Sequence, residues 1–110
     1  MDDLSKTLSA LSALSQETRL FAFRLLMEAG VQGMSAGILA QKLGVAPNNL
    51  STHLTILVNS GLITVRRQGR YKIYQADVTA INALLSSLVE TCCHGHPEVC
   101  GMLASLEETA

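Results

Sequence analysis

The sequence predicts a mainly α-helical domain closed by one small β-hairpin. Two observations carry this. Apolar residues recur at helical steps of three and four along successive segments bounded by capping residues or glycines, whereas two β-favouring runs, ITVRRQ and RYKIYQ, flank Gly69. With 110 residues and 48% hydrophobic content, the chain suits one folded unit with one modest core. Residues 1–110 are therefore read as a single domain, with residues 91–110 as its C-terminal segment.

Leu4, Leu8, Leu11 and Leu14 mark an amphipathic first helix. Ser15 reads as the N-cap of a second helix, which carries Glu17 in its first turn and stops at Gly30. Ser35 caps a short third helix, with Ile38, Leu39 and Leu43 on its buried side and Gly44 closing it. A fourth helix starts near Pro47, whose fixed φ suits a first helical turn, and ends at Ser60 and Gly61. At 100° per residue, Leu50, Leu54, Leu57 and Val58 fall on one side of it, and Asn48, Thr52, Thr55 and Asn59 on the other. The second face is polar and uncharged. After the hairpin, Asp77 caps a fifth helix with a seam of Val78, Ile81, Leu84, Leu85, Leu88 and Val89. Beyond Pro97, the spacing of Val99, Met102, Leu103 and Leu106 gives a short sixth helix, so the count is five to six.

The net charge of −1 is uninformative, but its distribution is not. From Ala29 to Ala76 there is no Asp or Glu, while Lys42, Arg66, Arg67, Arg70 and Lys72 contribute +5; the remainder of the chain sums to −6. Four of those cations lie in RRQGRYK, residues 66–72, the kind of cluster that binds phosphate. No apolar stretch reaches bilayer-spanning length, and the acidic, serine-interrupted start MDDLSKTLSALSALS lacks the pattern of a secretory signal. A cytoplasmic protein without membrane partners is expected.

Two short helices joined by a tight turn, AGILAQKLGVAPNNLSTHLTIL, followed by a basic two-stranded ribbon, describe a winged helix-turn-helix. The fourth helix is then the one that enters the major groove of double-stranded DNA. Asn can pair with the N6/N7 edge of adenine, and Thr can offer a hydroxyl or touch a thymine methyl. The expected DNA-contacting residues are Asn48, Asn49, Ser51, Thr52 and Thr55 on that helix, with Arg66, Arg67, Arg70 and Lys72 of the wing binding phosphates.

Over residues 8–90 the chain resembles the ArsR/SmtB family of metal- and metalloid-responsive winged-helix repressors. The resemblance rests on LSALSQETRLFAFRLL, LAQKLGVAPNNLSTHLTILVNSGLI and RRQGRYKIYQ. It implies a homodimer formed through the first and last helices, bound to an imperfect palindromic operator and released by an inducer. The apolar seams of the first and fifth helices agree with that. Ala46 stands where such proteins commonly have a capping Ser. His53 matches a common family position; at the flank of the apolar face it fits core-edge packing at least as well as base contact, so it is not counted among the DNA contacts.

The thiols point to an inducer site. All three cysteines and two of the three histidines lie in TCCHGHPEVC, residues 91–100. The helix before the recognition helix, MSAGILAQKL, has no cysteine, and DVTAINALLSSLVE offers only Asp77 and Glu90 as ligands, so two sites familiar in the family are absent. Three thiolates select soft centres, and trivalent arsenic and antimony bind three sulfurs in a pyramid. Cys92, Cys93 and Cys100 are thus the expected ligands of arsenic(III) or antimony(III) as inducer, with no catalytic cofactor. Alternatives stay open. Zinc, cadmium or lead can use the same thiols, with His94 or His96 completing a zinc tetrahedron, and Cys100 can form a redox-switch disulfide with Cys92 or Cys93. A Cys/His nucleophilic enzyme lacks a supporting acid/base pairing, and a non-enzymatic role is expected. A DNA-binding module without an inducer is the remaining rival.

Overall fold

The computed structural model describes residues 2–89. The predicted sixth helix, Cys92, Cys93, Cys100 and both neighbouring histidines lie outside the described residues. Along the chain run α1 (Asp2–Leu14), α2 (Glu17–Ala29), a 3₁₀ turn (Gly30–Gln32), β1 (Met34–Ser35), α3 (Ala36–Leu43), α4 (Pro47–Asn59), β2 (Ile63–Gln68), β3 (Tyr71–Ala76) and α5 (Val78–Val89). Five helices and a small antiparallel sheet make a winged helix-turn-helix.

Local chemistry sets most boundaries. Ser35 Oγ accepts from the Ile38 amide at 3.3 Å, and Gly44 ends α3 in the left-handed conformation with φ 68°. Pro47 occupies the first turn of α4, and Asp77 Oδ1 accepts from the Ala80 amide at 3.2 Å to start α5. The cap of α2 differs from expectation. Ser15 Oγ donates back to Ser12 O at 2.7 Å, finishing α1, and the side chain of Gln16 caps α2 by accepting from the Arg19 amide at 2.9 Å.

The core gathers Ala10 and Ala13 of α1, Ala22, Phe23 and Leu26 of α2, and Leu39 and Ala40 of α3. Leu50, Leu54 and Leu57 of α4 join them, with Leu62, Ile63, Ala76 and Leu84. Burial of each of the three α4 leucines is worth about 1.5–3 kcal/mol, which fastens that helix by its back while its front stays in solvent. Ile38, expected on the buried side of α3, is exposed, and Ala40 is buried in its place. The α1 leucine stripe lies largely outside the core. Alanines dock α1 against the core, leaving Leu4, Leu8 and Leu11 exposed.

The wing is larger than a hairpin. β1 adds a third strand with the order β1-β3-β2, pairing Met34 with Tyr74 and Ser35 with Ile73. This close pairing explains Gly33. Its φ is 67°, and a Cβ there would collide with the Tyr74 carbonyl and lie 2.9 Å from Ile73 Cγ2. Gly33→Ala is therefore expected to destabilise the protein by at least about 1–3 kcal/mol, the usual cost of a strained backbone. Denaturant melts of Gly33→Ala and of Gly37→Ala, whose Cβ would meet nothing within 4 Å, check this. Equal midpoints would refute the close approach.

Candidate nucleic-acid interface

α3, the turn Gly44–Ala46 and α4 form the helix-turn-helix, and the leucine row on the back of α4 directs its other face outward. Asn48, Asn49, Ser51, Thr52, Thr55 and Asn59 are all exposed there. Ala46 is the N-cap of α4 and makes no side-chain cap bond, so no capping hydroxyl competes for the amides of the first turn. Thr55 Oγ1 donates to Ser51 O at 3.0 Å. That commits its proton to the helix backbone and leaves its methyl as the group suited to an apolar contact. Asn48, Asn49 and Thr52 keep amide and hydroxyl groups available in solvent.

The wing presents its cations unequally. Strand alternation puts Arg66 and Arg67 on opposite faces of the sheet. Arg66 reaches back to the body of the protein, donating to Gln32 O at 3.0 Å and Val31 O at 3.5 Å, and to Gln75 Oε1 at 3.1 Å. It thereby ties β2 to the 3₁₀ turn before β1. Arg67 stands directly opposite Lys72 in the ladder, and both are exposed. Like charges so placed repel one another, and a polyanion relieves that repulsion. Arg70 sits in the two-residue hairpin turn beside Gly69, whose φ of 63° suits its first position. Arg67, Arg70 and Lys72 thus form the exposed basic end of the wing, and Lys42 lies in the last turn of α3.

Sequence reasoning missed the tether made by Arg66, although the two-residue period of a strand already separates it from Arg67. A second link was also missed. His53 is half-buried behind the exposed face of α4, with Nδ1 3.2 Å from Arg19 Nη1. It lines a cleft of about 330 Å³ with Thr18, Val45, Asn49 and Thr52. Its partial burial agrees with a place at the edge of the core.

Among the described residues no three His, Cys, Asp or Glu side chains converge to hold a metal ion. No helix among them is long and apolar enough to cross a membrane.

Comparison with known proteins agrees with this geometry. Residues 14–66 match the family model described as a helix-turn-helix domain. No curated protein sequence matches the chain significantly. Among solved structures, an ArsR-like transcriptional regulator from Rhodococcus sp. RHA1 is 27% identical with a TM-score of 0.69, the match covering 100% of this chain and 97% of that one. The transcriptional repressor BigR from Xylella fastidiosa is 28% identical with a TM-score of 0.61, over 83% of this chain and 89% of that one. A homodimeric winged helix-turn-helix domain from Mycobacterium bovis, of a possible ArsR-family regulator, is 27% identical with a TM-score of 0.63, covering 86% and 84%. The matched motif, the basic wing and these likenesses give the chain a helix-turn-helix domain in a winged-helix architecture similar to that of ArsR-family transcriptional regulators.

Proposed function

We propose that this protein is a repressor that binds a palindromic operator as a homodimer and leaves it when trivalent arsenic or antimony binds Cys92, Cys93 and Cys100. The observation that carries the DNA half is the division of labour on one surface. An uncharged face of α4, able to read base edges, stands apart from the exposed cations Arg67, Arg70 and Lys72, which supply phosphate affinity.

Dimerisation is supported by the apolar residues that folding leaves outside. Leu4, Leu8 and Leu11 of α1 and Val78, Leu85 and Leu88 of α5 are exposed, and α1 and α5 are joined by the Thr7 and Ser87 hydroxyls 3.0 Å apart. Such a surface is costly to leave in water. Twofold pairing through it matches the homodimeric state of the Mycobacterium bovis domain and explains an operator with two half-sites.

The inducer half rests on donor chemistry. Three thiols in ten residues suit a soft, three-coordinate ion, and they follow directly on α5, one of the two helices carrying the dimer surface. Binding there would bias the dimer between two geometries. Titrating the reduced protein on its own upstream DNA with arsenite, antimonite, zinc and cadmium in parallel, and with a thiol oxidant in a separate arm, tests the reading. Release by arsenite or antimonite alone supports it, release by zinc or cadmium transfers the site to a four-coordinate metal completed by His94 or His96, and release by oxidant assigns a thiol switch.

The two DNA-contacting elements separate in a salt titration. Arg70→Gln should weaken binding to every duplex and lower the log-log salt slope by roughly one for each phosphate no longer neutralised. Asn48→Ala should instead lower affinity for operator relative to random duplex, by about 1–3 kcal/mol if Asn48 pairs with its base through two hydrogen bonds. Equal weakening on both duplexes for Asn48→Ala would remove that face of α4 from base reading.

A further inference from the structure

Arg19 lies in the first turn of α2, yet its guanidinium serves two other helices. Nε donates to Ala13 O at 2.6 Å and Nη2 approaches Ser12 O at 3.5 Å, so the cation sits among the carbonyls at the end of α1, which has no basic residue of its own in that turn. Nη1 faces His53 Nδ1 on α4 at 3.2 Å. Its backbone is held as well, because the Arg19 amide donates to the capping Gln16 Oε1.

The chemistry of this link has one solution. A guanidinium has donors and no acceptor, so His53 must receive the bond through an unprotonated Nδ1 and carry its proton on Nε2. The imidazole is then fixed in position and tautomer. His53 is the neighbour of Thr52 and lies one turn beyond Asn49, and all three line the same cleft. A small rotation of α4 about its own axis would carry Asn48, Asn49 and Thr52 off their base edges, and the leucine row that fastens the helix by its back supplies no directional bond to set that angle finely. The Arg19 to His53 bond is directional. We infer that Arg19 is a positioning residue for the recognition helix, acting through His53 Nδ1, and that it keys the orientation of α4 to the last turn of α1. This inference rests on the DNA-reading role of α4 proposed above.

A simple structural role for Arg19, capping α1, predicts a different result. The probe is a duplex recovered from a random pool by in vitro selection with the wild-type protein, compared with its scrambled sequence by fluorescence anisotropy. Arg19→Lys keeps a cation at the end of α1 but replaces the planar fork, whose Nε and Nη1 reach the two helices in fixed directions, with one compact ammonium that lacks that geometry. His53→Leu removes the acceptor, whereas His53→Asn places Oδ1 where Nδ1 was. Arg19→Lys and His53→Leu should lower the ratio of selected to scrambled affinity by roughly 5- to 150-fold, the range of one misplaced bidentate base contact, with affinity for scrambled duplex unchanged. His53→Asn should restore most of that ratio. Wild-type ratios in Arg19→Lys and His53→Leu would overturn the inference and leave Arg19 as a cap for α1. It is equally overturned if His53→Asn loses as much as His53→Leu, or if selected and scrambled affinities fall together. Failure of the wild type to enrich any duplex would instead strike at DNA reading itself and take the inference with it.

Discussion

Leu8→Glu combined with Leu85→Glu should yield a folded monomer that binds operator DNA 10²–10⁴-fold more weakly, the factor by which joining two binding modules exceeds one alone. Both leucines are substantially exposed, 59% and 39%, so a glutamate at either position meets solvent in the isolated subunit and costs little. In a dimer packed through α1 and α5 the same carboxylates would be buried without partners, a large penalty at each twofold-related contact. Light scattering should report one subunit, circular dichroism an unchanged helix content, and anisotropy the loss of operator binding. A variant that remains dimeric and binds normally would show that these two helices are not the interface.

The second large effect concerns the thiols. Replacing Cys92, Cys93 or Cys100 singly by Ser should leave repression by the inducer-free protein intact and abolish or sharply reduce its release by arsenite. Each change removes one sulfur from the proposed three-sulfur site and leaves the residues of α4 and the wing as they are. Allosteric couplings of about 1–3 kcal/mol correspond to a 5- to 150-fold loss of operator affinity in the wild type, and linkage requires DNA to weaken arsenic binding by the same factor. His94→Ala and His96→Ala should release as the wild type does. An arsenite titration followed by anisotropy reads all five variants; normal release by every cysteine variant would place the sensor elsewhere.

What the sequence made legible is what short-range chemistry decides. Ser35, Gly44, Pro47 and Asp77 mark helix ends through bonds or dihedrals confined to a few residues, and each does so in the structure. The leucine spacing of α4 likewise identifies its back, because one helix face is a local property. Ser15 misled because hydroxyls are preferred caps, but its hydroxyl is spent on Ser12 and the longer Gln16 side chain does the work. β1 has two residues and no periodicity, and it exists only because β3, nearly forty positions later, pairs with it. Ile38 is turned outward by the packing of α3 as a whole. The basic cluster was visible, but the employment of Arg66 by the carbonyls of Val31 and Gln32 is a long-range event that charge counting does not detect. The Arg19 and His53 link, across three helices, is of the same kind.

The strand order has a consequence for solubility. β3 is the middle strand, so the outer edge of β2 has no neighbour within the described residues, and its sequence begins with the β-prone run Ile63, Thr64, Val65. An open edge of that composition invites strand addition from another molecule. Arg66 is drawn back across β3 to the 3₁₀ turn, but Arg67 is exposed on the same strand, and a cation on an edge strand repels an incoming copy of itself. Arg67 is therefore expected to discourage edge-to-edge pairing when the wing is unoccupied. A variant stripped of Arg67 to weaken binding would also expose an unguarded edge, and loss of soluble protein would mimic loss of affinity.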